Sequence, residues 1–293
     1  MDREVIYGIK QALKNRVIQT SKAFFSKANS INSLIKENSE SMTSVTTSHG
    51  KILLENQNSL TFWRYESFFD KEPETIAWID TFNNGDILFD IGANIGLYSL
   101  YAGIKGVKVY AFEPESKNFA LLNRNIYANK LDHLITAYNL AISDTKKLDY
   151  LYLSEFKTGA ALHNFGENID YNQRRFKQEF KQGILSLTLD ELNDNLGLEC
   201  PNHIKIDVDG LESLIISGSR SLLNNHNLKS LLIEFNLDLP DDRQTRQFLE
   251  ESGFQEVPTS SKSGISPQVG NYIFRRRSDR SHYGRDGRSA KRK

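Results

Sequence analysis

Four carboxylates stand where apolar runs end, and their positions make them the first candidates for chemistry. Asp90 closes the run D-I-L-F-D, and Glu113 closes V-K-V-Y-A-F-E about 20 residues further on. Asp207 and Asp209 close the run I-K-I-D-V-D. A carboxylate can accept hydrogen bonds from hydroxyl groups, take up a proton or bind a divalent cation. Residue type alone leaves all three uses open.

A loop containing two glycines follows Asp90. Gly92 and Gly96 allow a sharp turn from a strand into a helix, whose N-terminal N–H groups can face a ligand. Asn94 stands where the dinucleotide fingerprint has the glycine that makes room for a pyrophosphate. Glu113 can accept hydrogen bonds from both hydroxyls of a ribose. The loop therefore predicts a nucleoside ligand without a pyrophosphate, and a turn that merely needs glycine is the alternative.

The acids around Asp207 form the second candidate centre. Side chains alternate along an extended chain, so Asp207 and Asp209 are expected on the same side. Glu212 opens the helix that follows, where the helix dipole favours a carboxylate. We expect Asp207 to act as the general base or as an acid beside a metal, and Glu212 to position the substrate or the loop. A divalent-cation site would use Asp207 and Asp209. A site for an ammonium group and a structural ion pair with Lys205 are the alternatives.

His163, in the run T-G-A-A-L-H, is a rival proton acceptor because its ordinary pKa suits proton transfer at neutral pH. A lone histidine in a loop is more often a surface residue. The polar segment 164–182 that follows is long for a connection and is typical of a lid, a binding loop or a linker. The sequence has no H-E-x-x-H, G-x-S-x-G or G-K-[ST] motif, so hydrolase and nucleoside-triphosphatase functions lose their usual support.

Apolar strands alternate with amphipathic helices through the middle of the chain. Predicted strands lie at 87–90, 107–112, 135–139, 204–208 and 229–235, and predicted helices at 75–82, 95–102, 116–129, 189–196, 211–223 and 241–252. The runs 253–257 and 271–274 predict a closing antiparallel hairpin, and K-I-L-L-E-N and S-L-T-F-W-R-Y-E-S-F-F predict short strands before this region. The pattern indicates an α/β fold with a mostly parallel sheet and helices on both faces. Such sheets bind ligands beyond the carboxyl ends of their strands, which is where the four acids lie.

The chain as a whole divides into three predicted parts. Residues 1–48 form an N-terminal helical extension that ends in a Ser/Thr-rich linker at 39–49, residues 49–274 form the main domain, and residues 275–293 form a disordered basic tail. The tail has nine Lys or Arg and two Asp, which suits contact with an anionic surface. One cysteine, Cys200, excludes an intramolecular disulfide and fits a reducing compartment. No apolar run approaches the ~18 residues of a membrane span. The expectation is a cytoplasmic protein.

The run D-I-G-A-N-I-G followed by A-F-E-P resembles the cofactor-binding half of class I S-adenosylmethionine-dependent methyltransferases. With K-E-P-E-T-I-A-W-I-D, N-L-A-I-S-D and I-K-I-D-V-D-G-L-E, the sequence more narrowly resembles the FkbM family of O-methyltransferases over roughly 50–274. The resemblance implies a Rossmann-like sheet of seven strands. It implies that Asp90, Gly92, Asn94 and Gly96 surround the methionine end of the cofactor, that Glu113 holds the ribose, and that Asp144 lies near the adenine amine. For Asp144, a turn-capping role is the alternative. The family usually has Glu where Asp209 stands.

The function implied by this resemblance is transfer of a methyl group from S-adenosylmethionine to a hydroxyl, most often on a sugar or glycan. Methylation of a secondary-metabolite hydroxyl is the alternative within the same chemistry. A protein of another class, which binds a nucleoside without turnover and is held to an anionic partner by its basic tail, is the second alternative. A nicotinamide dehydrogenase is disfavoured by Asn94. The need for a divalent metal stays open.

Overall fold

The structure, a computed structural model, describes residues 41–169, 174–258 and 268–277. The strands in these ranges are β1 (Ser41–Thr47), β2 (Gly50–Asn56), β3 (Ile87–Ile91), β4 (Lys108–Phe112), β5 (Ile135–Tyr138), β6 (Ala141–Ile142), β7 (Lys147–Leu153), β8 (Asn164–Phe165), β9 (Phe180–Leu187), β10 (His203–Ile206), β11 (Ser230–Asn236), β12 (Phe254–Val257) and β13 (Val269–Arg276). The α-helices are α1 (Ser59–Glu66), α2 (Phe68–Lys71), α3 (Pro73–Asp80), α4 (Leu97–Ile104), α5 (Ser116–Ala128), α6 (Glu212–Ser217), α7 (Arg220–Leu223) and α8 (Pro240–Glu251).

Seven strands form the main sheet in the order β12-β13-β11-β10-β3-β4-β5. The five strands from β11 to β5 run parallel, whereas β13 lies antiparallel to both β11 and β12. The predicted fold class, a mostly parallel Rossmann-like sheet with a closing antiparallel hairpin, is therefore confirmed. The sheet brings the carboxyl ends of β3, β4 and β10 to one edge.

Two apolar cores lie on opposite faces of this sheet, because neighbouring residues of a strand point to opposite sides. Leu88 of β3 packs into a core with side chains of α3, α4 and α5, and Phe89 packs into the other core with side chains of α6, α7 and α8. Both side chains are fully buried. Because these strands are apolar on both faces, helices cover both faces of the sheet.

The N-terminal region differs from its prediction. Residues 41–47, predicted as linker, form β1, which pairs in register with β2, so the predicted boundary after residue 48 falls in the turn of a hairpin. The run S-L-T-F-W-R-Y-E-S-F-F, predicted as strand, forms α1 and α2. Asn58 caps α1 by accepting the N–H groups of Leu60 and Thr61, while the Thr61 hydroxyl reaches back to Asn58 in a capping box. The capping residues decide the structure here, since the apolar pattern suits either element.

Two predicted helices are also modified. The helix predicted at 189–196 is a π-helix over Glu191–Asn195. The helix predicted at 211–223 is divided into α6 and α7 at Gly218. A Cβ on Gly218 would lie 2.6 Å from the carbonyl oxygen of Ser143, so close packing against that loop explains the interruption.

A second sheet, in the order β6-β9-β7-β8, was not predicted. The segment 164–182, predicted as a lid, a binding loop or a linker, contributes β8 and the start of β9 to it. Leu151, Leu153, Phe165 and Ile184 form its own small core. The two ends of the predicted long loop therefore lie in a sheet that packs beside the carboxyl edge of the main sheet, and the described residues between them lie outside its strands.

The last described strand, β13, extends through Arg276, two residues into the predicted basic tail. Residues 1–40 and 278–293, which contain the predicted N-terminal helix and the rest of the tail, lie outside the described residues. In the described part of the chain, no helix is both long enough and apolar enough to cross a membrane.

Candidate active site

The loop after β3 folds directly against the end of β10. Gly92, Asn94 and Gly96 all have positive φ, at 79°, 51° and 89°. A Cβ on Gly92 would lie 1.9 Å from the carbonyl oxygen of Asp207, and a Cβ on Gly96 would lie 2.3 Å from Leu122 Cδ1. Glycine is therefore required at both positions by close packing as well as by backbone conformation. The two candidate centres predicted from the sequence form one site.

Asp90 lies beneath this loop. It is 1% exposed, and its Oδ2 accepts a hydrogen bond from the Ser99 hydroxyl at 2.5 Å. Its Oδ1 is buried and has no hydrogen-bond partner among the described residues. Burial raises the pKa of Asp90, and the charge of Lys205 opposes that shift. Asp90 thus lies at the end of β3, as the sequence predicted, and one of its carboxylate oxygens is unpaired among the described residues.

Glu113 ties the end of β4 to the same loop. Its carboxylate accepts the backbone N–H groups of Asn94 at 2.7 Å and Glu115 at 2.8 Å. Burial raises the pKa of Glu113 to about 8 in spite of these bonds. Each oxygen keeps acceptor capacity beyond the one bond it makes. The predicted contact with ribose hydroxyls is compatible with this geometry and remains a prediction.

An apolar cavity lies between these loops and the second sheet. Its lining comes from the ends of β3 and β4, from β6, and from the loop after β10: Ile91, Gly92, Phe112, Pro114, Leu140, Ala141, Ile142, Leu151, Phe165, Val208 and Leu211. Pro114 follows Glu113 directly, so the cavity adjoins the predicted ribose position. Its apolar walls suit a flat heteroaromatic ring.

Asp144 follows β6, two residues beyond the cavity lining. Its side chain is exposed, and its Oδ1 accepts hydrogen bonds from the hydroxyls of Ser143 at 3.2 Å and Thr145 at 3.1 Å. These are contacts within a turn, as the turn-capping alternative predicts. Its predicted contact with an adenine amine remains a prediction.

The two aspartates after β10 have different surroundings. Asp207 Oδ2 accepts a hydrogen bond from Lys205 Nζ at 2.8 Å. Burial raises the pKa of Asp207, but the charges of Lys205 and Lys71 outweigh it and lower the pKa to about 2. Asp209 has a φ of 61° and accepts the N–H of Leu162 at 2.7 Å. Burial and the charge of Asp207 raise the pKa of Asp209 to about 6. Asp207 is therefore a permanent anion, and Asp209 titrates near neutrality.

Glu212 points into its own loop. It is 2% exposed and accepts the N–H groups of Val208 at 3.1 Å and Gly210 at 3.2 Å. Burial raises the pKa of Glu212 to about 8. Of its two predicted roles, positioning the loop is the one these contacts support.

His163 adjoins the acid loop, because the residue before it, Leu162, is bonded to Asp209. Both ring nitrogens of His163 are buried and lack hydrogen-bond partners within the described ranges. Burial and, to a smaller extent, the charge of Arg64 lower the pKa of His163 to about 4. The imidazole is therefore neutral at pH 7.

No role was predicted from the sequence for several further residues of this site, although Lys71 and Glu72 begin the run K-E-P-E-T-I-A-W-I-D and Glu234 stands near the end of a predicted strand, at the same edge as the other acids. Arg64, Lys71 and Glu72 come from α1, α2 and the residue after α2, and Tyr98 comes from α4. Lys71 Nζ lies 2.6 Å from Glu72 Oε1, and Lys205 Nζ lies 5.1 Å from the centre of the Tyr98 ring. Glu234, at the end of β11, has a pKa raised by burial and by the charges of Asp207 and Asp209. Only the folded chain shows that helices before the main sheet contribute to its edge.

Across the residues that the structure describes, no group of three or more His, Cys, Asp or Glu side chains is arranged to hold a metal ion. Asp207 and Asp209, the pair predicted for such a site, instead contact Lys205 and a backbone N–H.

Comparison with known proteins identifies one family. The sequence profile described as Methyltransferase FkbM domain matches residues 90–256, more than half of the chain. The 31-O-demethyl-FK506 methyltransferase FkbM of Streptomyces tacrolimicus is 28% identical over 158 residues, which cover 46% of this chain and 59% of that protein. The hexuronic acid methyltransferase AglP of Haloferax volcanii is 23% identical over 179 residues, which cover 61% of this chain and 69% of that protein. The match thus spans less than two thirds of the Streptomyces protein.

Solved structures show a more distant likeness. A SAM-dependent methyltransferase from Agrobacterium tumefaciens superposes with a TM-score of 0.43 at 9% identity, covering 82% of this chain and 71% of that one. TYW2 of P. horikoshii, solved in complex with MeSAdo, gives a TM-score of 0.42 at 14% identity, covering 80% of this chain and 70% of that one.

Proposed function

The chain belongs to the FkbM methyltransferase family, and on that premise we propose that it transfers a methyl group from S-adenosylmethionine to the oxygen of a hydroxyl group. The observation that carries this proposal is the contact between the loop after β3 and the loop after β10, where Gly92 has no room for a side chain beside Asp207. A ligand held on the first loop therefore lies next to the acids of the second. One cleft can then hold both a methyl donor and a group that accepts a proton.

The residues of the first loop fit such a cofactor. The apolar cavity beside Pro114 suits the adenine ring, and the remaining acceptor capacity of Glu113 suits the ribose hydroxyls. The buried Oδ1 of Asp90, which has no partner in the described ranges, suits a donor group at the methionine end. When bound, S-adenosylmethionine supplies an electrophilic methyl group on a sulfonium. The chain itself then has to align the acceptor and remove its proton.

Among the acids, we assign proton removal to Asp209. A general base works best when its pKa lies near the working pH, and the pKa of Asp209 is raised to about 6 by burial and by Asp207. Asp207, at about 2, and His163, at about 4, are weaker bases. As the oxygen–carbon bond forms, the hydroxyl proton passes to a carboxylate oxygen of Asp209. The charge of Asp207, which is held in place by Lys205, then raises the basicity of Asp209, and Glu212 holds the loop.

The acceptor we propose is a hydroxyl group of a sugar or glycan. The name of the Haloferax relative states that it methylates hexuronic acid, and the name of the Streptomyces relative states an O-demethyl substrate. Both names support methylation at oxygen, and the first supports an acidic sugar.

Calorimetric titration tests the cofactor assignment. We expect micromolar binding of S-adenosylmethionine and S-adenosylhomocysteine to the full chain, and no binding of NAD. Glu113→Gln should weaken the affinity for S-adenosylhomocysteine by roughly tenfold, because the amide replaces one of the two acceptor oxygens by an NH₂ donor. Glu199→Gln, an exposed acid that contacts Lys108, is the matched control and should change nothing. Failure to bind both sulfur nucleosides, or equal binding of NAD, would contradict the proposal.

A further inference from the structure

Arg64 reaches the site from outside the segment matched by the family profile. It lies on α1, and its Nε donates a hydrogen bond to the carbonyl oxygen of Gly159 at 2.6 Å. Among the described residues, no carboxylate oxygen lies within 4.0 Å of its guanidinium nitrogens. The charges of Asp207 and Asp209 act on Arg64 from beyond that distance. The segment 159–162 joins Arg64 to the acid loop, because Gly159 accepts a hydrogen bond from Arg64 and Leu162 donates one to Asp209.

The neighbouring acids are already engaged. Asp207 contacts Lys205 at 2.8 Å, Glu72 contacts Lys71 at 2.6 Å, and Asp209 accepts the N–H of Leu162 at 2.7 Å. Arg64 is partly buried, and burial lowers the pKa of its guanidinium. A cation that is partly removed from water and has no ion-pair partner raises the free energy of the folded chain. An anionic ligand that pairs with it removes that cost. Among the described residues, the terminal N–H groups of Arg64 have no hydrogen-bond acceptor.

His163 is the second side chain in this position. Arg64 is near enough for its charge to lower the pKa of His163, and neither ring nitrogen of His163 has a described partner. A neutral imidazole donates at one nitrogen and accepts at the other. Arg64 offers the paired N–H donors of its guanidinium, and His163 offers one donor and one acceptor. A carboxylate with a neighbouring amine or hydroxyl complements that set.

We propose that Arg64 binds the carboxylate of a ligand in the methyl-transfer site and that His163 contacts the same ligand. The inference rests on the proposed function, which supplies two sources of a carboxylate: the methionine end of the cofactor and an acidic sugar acceptor. Both require the same chemistry, a planar anion facing a guanidinium fork. In either case, α1 contributes a specificity-determining residue to a site whose other parts lie within residues 90–256.

The test compares ligands that differ in the carboxylate. Wild-type chain, Arg64→Gln and Arg64→Lys are titrated with S-adenosylhomocysteine and with 5′-methylthioadenosine, which shares the thionucleoside but has no carboxylate. The same variants, saturated with S-adenosylhomocysteine, are then titrated with glucuronate and with glucose. Arg64→Gln should weaken binding of one carboxylate ligand by roughly 10–100-fold and leave its neutral counterpart unchanged. The ligand that loses affinity identifies the source, and Arg64→Lys should lose part of the affinity because it lacks the fork.

Two controls separate this role from a structural one. Asn58→Asp keeps the cap of α1 but removes the donor to the carbonyl oxygen of Thr158, so it loosens the same segment that Arg64 holds through Gly159. Arg220→Gln removes an exposed arginine elsewhere. Both should retain wild-type affinities. The proposal is overturned if Arg64→Gln binds both carboxylate ligands as the wild type does, or if Asn58→Asp causes the same losses.

The wild-type titration separates failure of this proposal from failure of the proposed function. A wild-type chain that binds neither nucleoside contradicts the methyltransferase proposal. If the same chain, titrated without a nucleoside, also shows no preference for glucuronate over glucose, the role of Arg64 is contradicted with it. If the wild type binds S-adenosylhomocysteine and Arg64→Gln binds both carboxylate ligands equally well, only the role of Arg64 is contradicted.

Discussion

At the scale of single residues, the two aspartates after β10 have different partners although only one residue separates them. The alternation rule placed Asp207 and Asp209 on one side of an extended chain, yet β10 ends at Ile206 and Asp209 has a left-handed backbone. The two carboxylates consequently meet different partners, Lys205 and the N–H of Leu162. A shift in pKa depends on such partners and on burial, and neither can be read from the spacing of the acids.

The different surroundings of the two aspartates lead to a kinetic prediction. Asp209→Asn should lower kcat by about 10²–10⁴-fold and leave the affinity for S-adenosylhomocysteine near the wild-type value, because it removes the proton acceptor only. The wild-type kcat/KM should fall as the pH decreases below about 6, because Asp209 is then protonated. The residual activity of Asp209→Asn should lack this acidic limb. Turnover measured across pH, with binding measured in parallel, checks both parts.

Asp207→Asn is the matched comparison. It should lower the melting temperature more than Asp209→Asn does, since it leaves the fully buried Lys205 without its closest anion. If Asp209→Asn keeps full turnover while a folded Asp207→Asn loses it, proton removal belongs to Asp207.

At the scale of elements, the segments that were not predicted from the sequence are those held by hydrogen bonds to residues distant in sequence. The segment 157–162 is an example: Asn58, Asn94 and Asn118 all donate side-chain hydrogen bonds to its carbonyl oxygens. These residues lie far away along the chain, and a search for local periodicity cannot detect them. The second sheet is similar, because β7 pairs with β9 and β8, which lie further along the chain. Strands with continuous apolar runs, by contrast, were predicted correctly.

The end of β13 gives a prediction at this scale. Arg276 donates hydrogen bonds to the carbonyl oxygens of Leu223, Asn225 and Leu228, and its guanidinium lies 4.4 Å from the centre of the Phe254 ring. A chain that ends after Phe274 should therefore unfold with a free energy at least about 2 kcal/mol lower than a chain that ends after Arg277. Urea denaturation of the two truncated chains measures this difference. Equal stabilities would mean that the basic tail begins at residue 275, as the sequence suggested.

At the scale of the whole molecule, the two ends of the parallel strands carry different groups, and only the structure shows this difference. The carboxyl edge gathers the charged groups of the active site. At the opposite edge, a buried network joins His203 to Asp86 at 3.1 Å and to Ser230 at 2.7 Å, and the His203 ring stacks on Phe82 with centroids 3.6 Å apart. No sequence pattern singles out these residues, since each is an ordinary member of an apolar or turn segment. Their partners come from three separate elements.

This network should make the stability of the chain depend on pH. Burial lowers the pKa of His203 to about 4, against the opposing effect of Asp86. In the unfolded chain the ring has its ordinary pKa of about 6.5, so between the two values the unfolded chain binds more protons than the folded chain does. The contribution of His203 to stability is therefore complete above about pH 6.5 and is lost as the pH falls toward 4. Between pH 7 and pH 5 the loss should be about 2 kcal/mol.

The measurement is the free energy of unfolding in urea at pH 7 and pH 5 for the wild type, His203→Gln and His163→Gln. Each variant removes one histidine whose pKa is lowered by burial, one at each edge of the sheet, so each should reduce the difference between the two pH values. His203→Gln should also lower stability at pH 7, because it loses the stack on Phe82. An NMR titration of the wild type checks the cause directly, since the His203 ring must stay neutral at pH 5. A ring that becomes protonated above pH 6 in the folded chain would show that burial at this edge is not what controls its charge.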